Sequence, residues 1–145
     1  MPRFTDSRLQ TCPECGAPAR DNLTCWEQLG CLLAWEYYDQ ELLAAHFLTV
    51  ASYNLQHPAQ FIDEAWAGLR DIFIEHLDTD LPVEAIRHKV SEKSAGSRRV
   101  LKPVEERQPV LRRWLLTIAE VYIPDQPQGA AARVRAWAVS IRHAL

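Results

Sequence analysis

The fold of this chain is decided by residues 12–58, which read CPECGAPARDNLTCWEQLGCLLAWEYYDQELLAAHFLTVASYNLQHP. The stretch opens on two cysteines separated by two residues and followed by Gly16, and it closes on His57 and Pro58. A Cys-x-x-Cys turn presents both sulfurs on one side, so that they can share one metal ion. The glycine suits such a turn because it adopts a positive φ without steric cost. We therefore expect a metal-binding knuckle at the start of this stretch.

Two helices are predicted to follow the knuckle and to form a hairpin. The first spans about residues 25–38 and begins behind Thr24, a predicted N-cap whose capping box is completed by Glu27. The second spans about residues 41–56 and ends before Pro58, which cannot continue a helix. The hairpin brings residues that are distant in the sequence back to the knuckle.

The hairpin also selects the remaining metal ligands. If the chain turns at residues 39–40, Cys25 lies level with the far end of the second helix, where His57 stands. His46 precedes His57 by eleven residues, which is about 16 Å along a continuous helix, so the two imidazoles cannot bind the same ion. We predict one Zn²⁺ ion bound by Cys12, Cys15, Cys25 and His57, with His46 as the alternative to His57.

Other candidate residues in this stretch receive different roles. Cys31 is predicted to be a buried thiol, which behaves as a small hydrophobic side chain. His46 is predicted to be a partly buried histidine that is hydrogen-bonded to a neighbour, with a catalytic or second metal site involving Glu36 or Glu41 as an alternative. Tyr53 is predicted to be a core residue. We assign no catalytic residue, because the sequence has neither a phosphate-binding glycine-rich loop nor a Ser/His/Asp pattern.

A redox role for the knuckle is not favoured. Redox-active Cys-x-x-Cys pairs lie at the start of a helix that follows a β-strand, which lowers the pKa of the first thiol. The residues before Cys12 show no strand pattern, and the residues after Cys15 do not begin a helix. The surroundings of the knuckle therefore indicate metal binding.

The rest of the chain is also predicted to be helical, since no period-two pattern extends beyond three residues. We predict an all-α fold, a compact domain of about five to six helices with an N-terminal zinc knuckle. The predicted single domain, 1–145, comprises a lead-in and knuckle (1–24), a helical core (25–90), a mobile basic loop (91–108) and C-terminal helices (109–145). The later helices are predicted over about 59–77, from about 81 onwards, from Thr117 to about Pro124, and over 130–145.

Charge is distributed unevenly along the chain. Residues 36–84 hold ten acidic residues against one basic residue, whereas residues 87–145 hold twelve basic residues against five acidic ones. The two halves can attract each other within the fold or between copies of the chain. No apolar run is long enough for a membrane helix, and the N-terminus lacks the apolar core of a signal peptide. We expect a cytoplasmic protein that has no membrane contact.

Several segments together resemble an uncharacterised bacterial family of unknown function. The resemblance is spread over most of the chain, and its most specific part is the helix that ends in Gln-His-Pro. The chain departs from the family pattern at Ala51 or its neighbour, where the family favours aspartate, and at Cys31, which matches no family position. The family segment after Pro58 is only loosely matched by residues 74–77. The segments that carry the resemblance are CPECGA (12–17), CWE (25–27), HFLTVASYNLQHP (46–58), WLLTIAEV (114–121) and RAWA (135–138).

The resemblance implies no known activity, so the functional expectation comes from the residues. We expect a small zinc-stabilised adaptor or accessory protein that binds another protein or a second copy of itself. One alternative is a metal-dependent enzyme with an open site near His46 and His57. The other is nucleic-acid binding through the basic C-terminal half, which an overall isoelectric point near 5.9 and the absence of a recognisable reading helix make less favoured.

Overall fold

The computed structural model describes residues 10–94 and 100–145. These residues form seven α-helices and no β-strand beyond three isolated bridges, which confirms the predicted all-α class. Within the described residues, no helix is long and apolar enough to cross a membrane. The helices are α1 (Cys25–Trp35), α2 (Gln40–Ala44), α3 (His46–Leu55), α4 (Asp63–Thr79), α5 (Val83–Ser94), α6 (Ile118–Val121) and α7 (Ala130–Ala144).

Helix α1 begins at the predicted capping box. The Thr24 hydroxyl accepts a hydrogen bond from the Glu27 backbone N–H at 3.2 Å, and the Glu27 carboxylate accepts one from the Thr24 N–H at 2.9 Å. The helix buries Leu29 and Leu32 on its inner face. It ends at Trp35, three residues before the predicted end at residue 38, because the following residues close a short turn.

The predicted single helix over residues 41–56 is wrong in one respect, since it is divided into α2 and α3. Asp39 caps α2 by accepting a hydrogen bond from the Leu42 N–H at 3.0 Å. The break is at Ala45, whose φ of −93° and ψ of 12° leave the helical region. With this bend, both Leu42 in α2 and Leu48 in α3 are buried.

Helices α4 and α5 form a second antiparallel pair. A 3-10 turn over Pro58–Gln60 precedes α4, which therefore begins later than the predicted residue 59 and continues to Thr79. Helix α5 extends to Ser94, beyond residue 91 where the helical pattern was predicted to end. The two helices pack along each other, and an ion pair of 3.1 Å joins Lys89 to Glu75. Packing against α4 thus maintains a helix in a sequence of low hydrophobicity.

The predicted mobile basic loop over residues 91–108 lies only partly in the described chain. Residues 95–99 are outside the described residues, as are residues 1–9 of the predicted lead-in. The described chain resumes at Val100, whose carbonyl accepts a hydrogen bond from the Ile62 N–H at 2.9 Å. The chain then forms a second 3-10 turn, Val104–Glu106.

Helix α7 lies at the centre of the fold. It packs against α2, α3, α4 and α6, and it buries Val134, Trp137 and Ile141 completely. Helix α6 begins at the second predicted capping box, in which the Thr117 N–H donates to the Glu120 carboxylate at 2.7 Å. The core therefore holds α3 in a fixed position, and the end of α3 faces the knuckle.

Candidate metal centre

The knuckle, residues 12–17, is a tight turn that directs two sulfurs to one side. Gly16 has a φ of +79°, and its N–H donates to the Cys12 carbonyl at 2.9 Å. The Cys12 sulfur accepts hydrogen bonds from the N–H groups of Glu14 and Cys15, both at 3.4 Å. The Cys15 sulfur accepts one from the Ala17 N–H at 3.4 Å. These donors orient both sulfurs and stabilise negative charge on them.

Helices α1 and α3 bring two further side chains to the knuckle. Cys25 is the first residue of α1, and His57 follows the end of α3. The His57 Nε2 atom lies 3.5 Å from the Cys25 sulfur and 3.6 Å from the Cys12 sulfur. The three sulfurs and this nitrogen all lie within 4.8 Å of one another. This thiol–imidazole cluster, which comprises Cys12, Cys15, Cys25 and His57, can hold a metal ion.

The tautomer of His57 is set by the end of its own helix. Its Nδ1 atom lies 2.6 Å from the Tyr53 carbonyl oxygen, which can only accept a hydrogen bond. Nδ1 therefore carries a proton, and Nε2 is the ring atom that faces the sulfurs and can bind a metal once it gives up its own proton. The imidazole is also stacked on the Tyr53 ring, with 4.0 Å between the ring centroids.

Tyr53 has a second contact with the cluster. It is buried, as predicted for a core residue, but its hydroxyl also lies 3.4 Å from the Cys25 sulfur. Burial, followed by the hydrogen bond to Cys25, raises the pKa of Tyr53 well above its usual value. The hydroxyl therefore keeps its proton and can donate it to sulfur. The spacing of four residues between Tyr53 and His57 is the sequence signal for this pairing.

The cluster favours one negative sulfur beside a positive partner. Hydrogen bonds from Cys15 and then Cys25 lower the pKa of Cys12 far below its usual value, whereas the same network raises the pKa of Cys15. Burial disfavours a charged His57, yet its hydrogen bonds to Cys12 and Cys25 outweigh burial and raise the pKa of His57 to about 10. Three adjacent thiols thus create a site that attracts positive charge.

Two buried polar side chains hold the surroundings of the cluster together, and the sequence did not identify either role. The Glu14 carboxylate, between the two knuckle cysteines, accepts a hydrogen bond from the Ala59 N–H at 2.7 Å, and burial raises the pKa of Glu14. The Gln56 amide donates to the Leu116 carbonyl at 2.8 Å and accepts from the Trp137 indole N–H at 3.2 Å. The Gln-His-Pro sequence therefore connects the cluster to the core.

His46 and Cys31 lie outside the cluster. His46 begins α3, whereas His57 follows its other end, and His46 Nδ1 lies 2.8 Å from a carboxylate oxygen of Glu36. The structure thus brings His57, and not the alternative ligand His46, to the three sulfurs. Cys31 is only half-buried, which corrects the expectation of a fully buried thiol.

Comparison with known proteins gives one match. A family model described as "Family of unknown function (DUF5946)" matches residues 10–145. No curated protein and no solved structure matches the chain. The match covers the cluster and all seven helices of the described chain.

Proposed function

The chain belongs to DUF5946, a family of unknown function, and we propose that its thiol–imidazole cluster binds one structural Zn²⁺ ion. The ion would join the knuckle to α1 and to the end of α3. We further propose that the protein stabilised in this way is an adaptor or accessory protein that binds another protein. The observation that supports the zinc site is the convergence of four ligand atoms within 4.8 Å of one another.

The spacing of these atoms agrees with tetrahedral zinc. Zinc lies about 2.3 Å from thiolate sulfur and about 2.0–2.1 Å from imidazole nitrogen. At tetrahedral angles these bond lengths separate sulfur and nitrogen by about 3.5 Å. The two distances from His57 Nε2, 3.5 Å to the Cys25 sulfur and 3.6 Å to the Cys12 sulfur, match that separation. The side chains therefore need little movement to bind the ion.

The donor set favours zinc in a closed, structural site. Thiolate and imidazole are ligands for zinc and related soft metals, whereas calcium and magnesium take oxygen ligands. Four protein donors complete a tetrahedron and leave no position for the water that a catalytic zinc ion activates. The enzyme alternative near His46 and His57 loses support because His46 is paired with Glu36 instead.

Metal analysis of purified variants tests the zinc site. We expect about one zinc per chain in the wild type, and loss of the metal together with a lower melting temperature in Cys12→Ser and His57→Ala. Metal binding contributes to folding because the unfolded chain has no preformed site. Cys31→Ser and His46→Ala are matched controls that should retain the metal. A metal-free wild type that is as stable as the zinc-saturated protein would refute the site.

Cobalt substitution separates a structural site from a catalytic one. A closed site with three thiolates should give the intense visible absorption of tetrahedral cobalt, and added cyanide or azide should leave that spectrum unchanged. A spectrum that shifts on titration with these anions would indicate an open coordination position. That result would favour the enzyme alternative over the structural role.

The adaptor role is supported by apolar side chains that the described fold leaves exposed. Val104, Val110 and Leu115 are among them, with 72%, 75% and 85% of their surface accessible. Scattered exposed hydrophobic residues are normal, but a group of large ones indicates a surface for a partner. These three lie within twelve residues of each other in the sequence, counted inclusively.

Nucleic-acid binding receives less support because several basic side chains serve the fold. Arg133 donates hydrogen bonds to the carbonyls of Val121, Gln126 and Gln128. Arg142 forms an ion pair of 3.0 Å with Asp78. Binding of labelled duplex DNA or RNA that weakens steeply with salt would revive this alternative, since phosphate contacts release counterions.

A further inference from the structure

Exposed large hydrophobic side chains are concentrated in residues 100–115. Eleven large hydrophobic side chains are exposed in the described residues, and six of them lie in this region. Apolar side chains that stay in water do not stabilise the isolated chain. A concentration of them on one surface therefore indicates that another molecule covers that surface. The six residues are Val100, Leu101, Val104, Val110, Leu111 and Leu115.

The backbone of this region also has free hydrogen-bonding groups. Residues 107–116, which we call the open segment, form neither helix nor strand. Within residues 108–116, Arg112 is the one residue whose backbone N–H has a partner in the described chain, the Glu14 carbonyl at 3.0 Å. Unpaired backbone groups in a row can pair with an added strand.

A groove runs between the open segment and the knuckle. It has a volume of about 460 Å³, and its lining includes Pro13, Leu111, Arg113, Trp114 and Leu115. The indole N–H of Trp114 is buried and has no acceptor in the described chain. Most buried donors in folded proteins have a partner, so the hydrogen bond of this N–H is unaccounted for within the described chain.

Charge decides which partner fits. The only charged residues of the open segment are Arg107, Arg112 and Arg113. The Arg112 guanidinium lies 4.0 Å from the Trp114 ring centre and donates to the Ala144 carbonyl, whereas Arg113 is exposed at the groove. Two copies of the segment paired about a two-fold axis would bring like charges together, which destabilises strand pairs. An acidic partner avoids this repulsion.

Nearby acidic residues do not neutralise the segment from within. The Glu120 carboxylate, which also borders the groove, accepts the hydrogen bond from Thr117 that caps α6. Glu105 and Glu106 lie on the preceding 3-10 turn, outside the lining of the groove. Arg113 is therefore the groove's exposed cation.

We propose that the open segment and its groove bind an extended peptide of a partner protein in which acidic and apolar residues alternate. The carbonyl groups of the peptide would accept hydrogen bonds from the N–H groups of alternate residues, Leu111, Arg113 and Leu115, because the N–H of Arg112 already donates to Glu14. The peptide's apolar side chains would enter the groove beside Leu111 and Leu115, and a carboxylate would meet Arg113. This inference rests on the proposed adaptor role, and zinc content has to be measured beside it because Cys12 and Cys15 also line the groove.

A synthetic peptide of about seven residues that alternates glutamate and valine is the probe, with a lysine–valine peptide as its control. Fluorescence anisotropy with the full chain should show at least about tenfold tighter binding of the acidic peptide. N-methylation of the acidic peptide at the residues that face the segment should abolish binding, because the methyl groups block the close approach of the two main chains. Hydrogen exchange should show protection of the amides of Leu111, Arg113 and Leu115 when the acidic peptide is added.

Variants of the chain locate the peptide. Leu115→Asp and Arg113→Glu should each weaken binding about tenfold or more, whereas the exposed α7 controls Val139→Asp and Arg135→Glu should not. Equal binding of both peptides, full binding of the N-methylated peptide, or no binding at millimolar concentration would overturn the proposal.

Two further measurements separate the competing outcomes. Sedimentation that shows a dimer of the wild type, abolished by Leu115→Asp, would replace the peptide with a second copy and also overturn the proposal. Zinc content is measured in the same samples, so that a metal-free chain that binds the acidic peptide would refute the zinc site alone. A zinc-loaded chain that does not bind the peptide would refute the proposed peptide binding alone.

Discussion

Gln56→Leu tests whether the residue before the cluster connects it to the core. Gln56 is almost fully buried, with 1% of its surface exposed. Its amide joins the Leu116 carbonyl to the Trp137 indole N–H. Leucine has a similar volume but no polar atoms, so the substitution leaves both of these groups without a partner and creates little cavity.

The cost follows from the two groups that lose their partners. A buried polar group left unsatisfied costs about 1–3 kcal/mol, and the added apolar contacts of leucine offset part of it. We expect the free energy of unfolding to fall by about 2–4 kcal/mol in total. For a domain of this length, that change lowers the melting temperature by about 6–15 °C.

Urea denaturation of zinc-saturated protein measures the effect. The midpoint should fall while the dependence on urea concentration stays the same, because a change in stability alone does not alter the surface exposed on unfolding. Adding Trp137→Phe removes the orphaned indole N–H, so the double variant should recover about 1 kcal/mol relative to additivity. The exposed Gln128→Leu is the control and should change stability by less than about 0.5 kcal/mol. A Gln56→Leu effect below that value would refute the proposed connection.

The remaining predictions concern backbone conformation and charge. Gly16→Ala should destabilise the chain by about 1 kcal/mol, because Gly16 has a φ of +79° that side chains disfavour. Gly30→Ala should stabilise the chain by about 0.5–1 kcal/mol, because a methyl group at this α1 position meets no atom within 4 Å. Thermal unfolding in which the two glycine substitutions change stability in the same direction would contradict the reasoning. The hydrogen bond from Arg142 holds the pKa of Asp78 below its usual value. The Asp78–Arg142 pair therefore contributes its full stability at pH values above the usual pKa of aspartate, and this stability is lost as the pH falls through the lowered pKa. An NMR titration should find the lowered pKa of Asp78 in the wild type and a normal pKa in Arg142→Gln.

The convergence of the four cluster residues was predictable because short-range rules and simple geometry both apply to them. The Cys-x-x-Cys spacing fixes the first two sulfurs locally, and the return of the chain after α1 brings His57 back to Cys25. The break at Ala45 did not disturb this result, because α3 still ends beside the start of α1.

The break itself was not predictable from the sequence. Residues 40–56 contain neither proline nor glycine and include good helix formers. The bend at Ala45 comes from packing, since it buries leucines on both α2 and α3. The length of α5 has a similar cause, because contact with α4 overrides a polar local sequence.

The roles of Glu14 and Gln56 were beyond sequence reasoning for a different reason. Each depends on a partner distant in the chain: Glu14 bonds to Ala59, and Gln56 to Leu116 and Trp137. Local periodicity carries no information about such pairs. The positions of the charged and polar residues were visible, but their partners became clear only from the packed helices.

The end of α3 gives Pro58 a part in coordination chemistry although it supplies no ligand atom. The His57 backbone N–H bonds to the Asn54 carbonyl at 3.0 Å, while the Tyr53 carbonyl accepts both the Gln56 N–H at 3.2 Å and the imidazole. If α3 continued for another turn, the His57 N–H would take the Tyr53 carbonyl as its regular helical acceptor. The backbone and the ring of His57 would then have to share one acceptor. By stopping the helix at this point, the proline favours the arrangement in which Nδ1 bonds to Tyr53 and Nε2 faces the three sulfurs.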